Sequence, residues 1–360
     1  MNATRILRRP RVLIVGCGDV GLRCARALLA RIAPPRVIAL TTRAERATQL
    51  RPHGVTPIVG DLDAPRSLRR LAGLARTVLY LAPPPSSGAD DPRTQALLAA
   101  LGARTRYRAA RASRPMSGRL YRRSFATSHG GPAPRSLSPG IRASQNRRIV
   151  TEGTPTARAR SPVRLVYAST TGVYGDCAGA LIDETRPVRP ANARAKRRVA
   201  AERRLRQANR RGTTAANIVR IPGIYARERL PLARIEQRKP ALVDGDDVYT
   251  NHIHADDLAA IMVRAATHGR IGRVVHASDD TVLKMGAYFD RVADAFRLPR
   301  VPRIRREAAE QTLDPMVLSF MRESRRLSNR RLKRELKVTL RYPSVDDFLR
   351  DLQGAAPAVK

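Results

Sequence analysis

The stretch RVLIVGCGDVGLRCARALLARIA, residues 11–33, limits the possible folds of this chain more than any other. Val12 to Val15 form an unbroken apolar run rich in β-branched residues, the pattern of a parallel strand buried on both faces. Gly16, Gly18 and Gly21 follow with G-x-G-x-x-G spacing, and an alanine- and leucine-rich helix follows them. Each glycine has a separate task. The first permits a tight turn, the second lets a pyrophosphate approach the backbone, and the third lets helix and strand pack closely. A diphosphate would then lie at the positive end of the helix dipole. The predicted cofactor-binding residues here are Gly16, Gly18, Asp19, Val20 and Gly21.

The next segments extend the pattern. RVIALTTR reads as a second strand ending at Thr41, Thr42 and Arg43, with Arg46 just beyond. A site for NAD would place a carboxylate at this strand end to hold the ribose hydroxyls, and none stands there. Arg43 would instead pair with a 2′-phosphate, so NADP is the expected cofactor, with NAD as the alternative. GVTPIVGDLDAPRSL and TVLYLAPPP read as the third and fourth strands. They place Asp61 and Leu62 near the adenine and Ala82 near the phosphates and ribose.

Charge and cysteine usage bound the class. The formal net charge is +39, nearly all of it arginine, which predicts attraction to polyanions at low salt. The three cysteines imply no disulfide framework and fit a reducing compartment. The opening MNATRILRRP lacks an apolar stretch, so no signal peptide is expected. Charges at Asp19, Arg23 and Arg26 interrupt the first apolar run, which excludes a membrane span there. The expectation is a soluble, cytoplasmic protein. Between residues 101 and 162 the periodicity dissolves into Arg, Ser, Pro and Gly, with Glu152 the lone acid, so the interval reads as a disordered insertion. Regular aromatic stacking positions are missing from it, so any nucleic-acid contact would be non-specific.

Order returns with VRLVYASTTGVYGD, residues 163–176. Together with GCGDVG, DLD, YLAPP, DETRPVRP, RIPGIYA, HIHADDLA and SNRRLKRELKVTLRYPS, in that order along the chain, it resembles the extended short-chain dehydrogenase/reductases of the NAD-dependent epimerase/dehydratase type. The resemblance implies a doubly wound parallel-sheet Rossmann α/β fold with a smaller C-terminal substrate lobe. Residues 1–100 and 163–225 would form the two halves of the Rossmann domain. Residues 226–360 would supply most of the lobe, with 250–280 (HIHADD included) returning to the main sheet.

The resemblance also assigns roles. Thr170, four residues before Tyr174, keeps the hydroxyl that polarises a substrate oxygen. A Tyr-x-x-x-Lys pair normally follows a proline at the next helix, where the lysine holds the nicotinamide ribose and lowers the tyrosine pKa. Here Pro190 is present, Lys196 stands in the lysine place and Asn192 in the tyrosine place. Asparagine does not titrate, which is a departure similar to atypical members such as the YeeZ-like group. Tyr174 and Tyr225 are the phenols within reach, and the turn at Pro222 would border the nicotinamide. Asp183 and Glu184 read as a loop acid pair. His252, His254 and Asp256 have the spacing of metal ligands, but the family reading makes them bracing residues, with Asp256 or Asp257 capping a helix; no metal is expected. The implied function is an oxidoreductase or epimerase-like enzyme on a small polar substrate, with Arg227, Arg234 and Lys239 offering charge to an anionic one. The alternative is a nucleotide-sensing or scaffold protein. Whether the chain forms a homodimer stays open.

Overall fold

The computed structural model describes residues 9–112 and 161–354. Seven strands form one parallel sheet: β1 (Arg11–Val15), β2 (Arg36–Thr41), β3 (Thr56–Val59), β4 (Thr77–Tyr80), β5 (Val163–Thr170), β6 (Thr214–Ile221) and β7 (Val274–His276). Their spatial order is β7-β6-β5-β4-β1-β2-β3, so the winding reverses between β1 and β4. Val15 of β1 stands beside Leu40 of β2 and Tyr80 of β4, which brings three strand ends to one level. Ligands of open α/β sheets bind in the crevice at such a reversal.

Six helices matter for the site: α1 (Asp19–Leu29), α2 (Pro92–Ala112), α3 (Ala193–Arg210), α4 (Ala255–His268), α5 (Met285–Ala295) and α6 (Val345–Gly354). Alternate strand residues feed opposite faces of the sheet. Val12 and Ile14 pack with Cys24 and Leu28 of α1 and with Leu258 and Met262 of α4. Leu13 and Val15 pack on the other side with Leu97 and Leu101 of α2 and Leu205 of α3. Covering both faces explains why β1 is an apolar run and not an alternating one. A third core of Tyr225, Tyr288, Phe289 and Phe348 belongs to the smaller C-terminal lobe, built around α5 and α6.

Two expectations about the chain path change. The return to the main sheet is made by β7, not by HIHADD. His252–His254 pairs in parallel with Gly223–Tyr225, a separate two-stranded element. Pro222, with no N–H to donate, interrupts the ladder after β6 and lets this pair splay away. The crossover helix α2 runs from Pro92 to Ala112, past the boundary expected at residue 101. By packing, the described residues up to 104 and from 162 onward make one unit. The arginine-rich interval beyond α2 lies outside the described residues. Among the described residues, no helix is long and apolar enough to cross a membrane.

Candidate active site

The turn after β1 builds the first half of the site. Gly16 has φ +91°, and a Cβ there would stand 2.4 Å from the Ala82 nitrogen, so the chain of β4 passes too close for any side chain. A Cβ on Gly21 would meet the Gly16 carbonyl at 2.9 Å, which ties α1 tightly to the turn. A Cβ on Gly18 would meet no atom within 4 Å. Nothing in the fold demands glycine there, and the open space over it suits a ligand that presses on the backbone. A groove of about 420 Å³ runs past Gly16, Gly18, Asp61, Leu62 and Ala82, which brings these five together. Arg43 is exposed and does not line it. Arg46, one helical turn further on, does, and its guanidinium donates to the Cys17 carbonyl at 3.2 Å.

A second groove section of about 270 Å³ continues along Gly18, Asp19, Val20 and Gly21 to Thr170 and Pro222. Asp19 is committed to cations, accepting from Arg23 Nε at 2.9 Å and Arg229 Nε at 3.0 Å. Arg23 also holds Asp256 at 2.6 Å and contacts Glu228. This ion cluster fastens the Arg227–Arg229 turn to the start of α1.

A cleft of about 680 Å³ opens next to the groove. Thr170, Arg194, Pro222, Ile224 and Arg229 line both, so groove and cleft meet at these five residues. Thr170 sits at the end of β5, where its Oγ1 accepts the Gly172 N–H at 3.3 Å and faces the junction.

The start of α3 corrects the register expected for the missing tyrosine pair. Asn192 is the residue before the helix, and its Oδ1 caps it by accepting the Ala195 N–H at 2.9 Å. It lines the cleft but lies outside the groove. Lys196 is exposed and lines neither space. Arg194, itself exposed, and Arg198, four residues further on, line the groove instead. Arg198 Nη1 donates to the Ala168 carbonyl at 2.6 Å and the Tyr167 hydroxyl at 3.1 Å, beside the groove. The Arg194 guanidinium is pushed below its ordinary range by desolvation first and by Arg198 and Arg197 second. The helix packs through its buried residues Ala195, Val199 and Glu202.

Tyr174 is not in the cleft. It is 1% exposed, and its hydroxyl lies 2.5 Å from His276 Nε2 and accepts from Arg220 Nη1 at 2.7 Å. His276 Nδ1 faces the Ser328 carbonyl at 3.0 Å, so that nitrogen carries the proton and Nε2 accepts from the phenol. Burial pushes the Tyr174 phenol up to about 12, against the opposing pull of Arg220. A buried phenol held at both sides is structural. Tyr225 is likewise in the lobe core, in contact with His252, His254 and Phe348.

The remaining acids and histidines also have packing roles. Glu184 is buried and accepts the His276 N–H at 3.0 Å, while Asp183 closes a local turn with Thr185. The cap of α4 is His254, whose Nδ1 accepts the Asp256 N–H at 3.3 Å, and not Asp256 or Asp257. Asp257 is buried against the Arg341 and Tyr342 amides. Burial lowers His252 and His254 to about 4, so both are neutral at pH 7. Among the described residues no cluster of three metal-ligating side chains occurs.

A family model, the NAD dependent epimerase/dehydratase family, matches residues 12–277, which span the groove, the junction and β7. The chain belongs to the NAD-dependent epimerase/dehydratase family. Solved structures agree in fold. A functionally unknown conserved protein from Silicibacter pomeroyi DSS is 25% identical, with 96% of this chain and 98% of that one covered and a TM-score of 0.66. DesIV, a dTDP-glucose 4,6-dehydratase from Streptomyces venezuelae solved with NAD and TYD, is 18% identical over 94% and 95%, with a TM-score of 0.64. MoeE5, solved with UDP-glucose and NAD, is 18% identical over 96% and 97%, with a TM-score of 0.62. No curated protein matches the sequence.

Proposed function

We propose that this chain is a nicotinamide-dinucleotide-dependent oxidoreductase or epimerase-like enzyme acting on a small polar substrate. The observation that carries the reading is the junction itself, where five residues line both the dinucleotide groove and the cleft. The bound dinucleotide would supply hydride acceptance and donation. Gly16, Gly18 and Gly21 would seat its diphosphate, and Arg198 would hold the nicotinamide ribose in place of a lysine. Thr170 Oγ1 would orient the reacting oxygen of the substrate. Arg194 would stabilise negative charge on it, since a guanidinium stays charged and serves as a donor but not as an acid–base group. NADP(H) is the proposed cofactor, with Arg46 as the groove-lining partner for a 2′-phosphate and Arg43 beside it.

Calorimetric titration tests the assignment. Arg46→Ala is expected to weaken NADP(H) about tenfold or more while changing NAD(H) little, because loss of one charge-assisted pair costs about 1.5–3 kcal/mol. Arg43→Ala should have the smaller effect. Equal losses for both cofactors would remove the NADP assignment. A companion measurement separates the arginine from the lysine: Arg198→Ala should weaken both cofactors several-fold, and Lys196→Ala should leave both unchanged. The reverse pattern would return the ribose role to Lys196. A second reading, a dinucleotide sensor or scaffold, is favoured by the arginine at the inward position, which does not titrate. It predicts cofactor binding without turnover.

A further inference from the structure

With the phenol gone from the junction, the cleft still needs a group that takes and returns a proton. Among the described residues lining the cleft, Glu323 is the sole carboxylic acid. It comes from the C-terminal lobe, and its side chain is only 12% exposed. Gly172 lies between it and Thr170. A Cβ at Gly172 would lie 3.9 Å from Glu323 Oε2 and 3.6 Å from Thr170 Oγ1, so the carboxyl and the threonine hydroxyl flank one small space.

The two oxygens are held differently. Oε2 accepts from Arg325 Nη2 at 2.7 Å. Arg325 is itself buried and anchored by a 2.5 Å bond to the Gly175 carbonyl. Among the described residues, Oε1 has a single long contact, 3.4 Å from Asn192 Nδ2. It therefore keeps lone pairs for a substrate. Asn192 is fixed in the required orientation because its Oδ1 caps α3, which turns its amide nitrogen toward Glu323. The cleft's other proton carriers are less suited. Tyr249 packs its ring toward Gly179, under Arg326 and Lys284. Tyr288 is buried and stacked on His252 at 4.2 Å. His252 is neutral and buried, with Nε2 engaged by Thr250.

We infer that Glu323 is the catalytic acid–base of this site, accepting the hydroxyl proton of an alcohol substrate on Oε1 during oxidation and returning it during reduction. The inference rests on the dinucleotide reading above. In the oxidation direction, the substrate O–H bond breaks and its electron pair becomes the second carbon–oxygen bond. The carbinol C–H electrons leave as hydride to the oxidised nicotinamide, and the proton ends on Glu323. Arg325 and Asn192 are positioning residues. Desolvation raises the affinity of the carboxyl for a proton, opposed by Arg325 and then Asn192, while Asp176 adds to the rise. That balance leaves a carboxylate able to accept a proton without being locked as an ion.

The test uses the full chain with oxidised dinucleotide and three secondary alcohols: gluconate, glycerol 3-phosphate and UDP-glucose. Glu323→Gln is expected to lower kcat about a hundredfold or more, with KM changed less than ~3-fold, and to abolish the acid limb of the pH profile. Glu323→Asp should recover part of the rate. A Gln variant retaining kcat within ~3-fold overturns the inference. Infrared titration of the same proteins reads Glu323 without turnover. A protonated-carboxyl band should appear above the ordinary glutamate range and be absent from the Gln variant, whose fold is checked by circular dichroism; should that variant not fold, Glu323→Asp replaces it, with a shifted band. Absence of a band difference overturns the inference even where alcohols react. Failure to bind any dinucleotide, with the band present, overturns the reading underneath, and the proposed reaction with it.

Discussion

Arg220→Met is expected to destabilise the fold by about 3–5 kcal/mol, the cost of removing one partner from a buried ion pair. Arg220 is 2% exposed and Glu202 is fully buried. They meet through two parallel bonds, Nε to Oε1 at 3.1 Å and Nη2 to Oε2 at 2.7 Å. Ser169 adds a 2.7 Å bond to Glu202, and Arg220 continues to Tyr174 and so to His276. The methionine variant leaves the Glu202 carboxylate without its cation and the Tyr174 oxygen without its donor. Burial alone would raise the Glu202 pKa, but the Arg220 bonds and charge, with Ser169 and Arg206, outweigh it and hold the group below the usual glutamate range. A depressed folded-state pKa means stability is gained above the unfolded value. The contribution is therefore complete near neutral pH and is lost as pH falls through the folded value. Urea denaturation should show the single-variant loss at pH 7 and a smaller loss in acid. The double variant Arg220→Met with Glu202→Leu should recover most of it, since an apolar pair of similar volume replaces buried charges at little net cost. A single-variant loss under about 1 kcal/mol would mean that water reaches the pair and the network is not a buried one.

The same network shows why part of the site was hidden in the sequence. The strand–glycine–helix unit was legible because its constraints are local. Gly21 answers to Gly16 within the same turn and Gly16 to Ala82 just beyond β4, while Gly18 faces open space. The tyrosine–lysine register was not, because two pairs in the segment satisfy a spacing of four: Asn192 with Lys196, and Arg194 with Arg198. Only the folded chain chooses between them: Arg194 and Arg198 line the groove, and Glu202 of the same helix reaches Ser169 on β5 and Arg220 on β6. A glutamate in a helix otherwise crowded with arginine was the available clue. The choice between Arg43 and Arg46 was hidden for a related reason, since the strand end is visible in sequence but which arginine lines the groove is not. Glu323 had no local signal. It stands 131 residues from Asn192, and only the folded lobe brings them together.

Gly18→Val is expected to abolish dinucleotide binding, by a hundredfold or more, while leaving the protein folded. Gly18 has φ −81° and ψ −154°, an extended conformation that valine adopts without strain. A Cβ there would meet no protein atom within 4 Å, so the cost to the fold should be under about 1 kcal/mol. Any ligand seated on the backbone would collide with the added methyls. A hundredfold loss corresponds to about 2.7 kcal/mol, modest for displacing a diphosphate from the helix start. Gly16→Ala should behave in the opposite way. Its φ of +91° and its 2.4 Å approach to the Ala82 nitrogen make even a methyl group intolerable, so β1 and β4 would have to part. Positive-φ strain and overpacking each cost roughly 1–3 kcal/mol, and both apply. Urea denaturation and titration with NADP(H), run on both variants, separate a glycine required by the ligand from one required by the fold. If Gly18→Val binds within about threefold of the unmodified protein, less than 1 kcal/mol, then the diphosphate does not lie over Gly18. The groove would then need another occupant. A stable Gly16→Ala would show that the β1 turn is looser than its contacts imply. The joint result, a folded non-binder at position 18 and an unstable chain at position 16, requires the close approach of ligand to backbone that the glycine spacing first suggested.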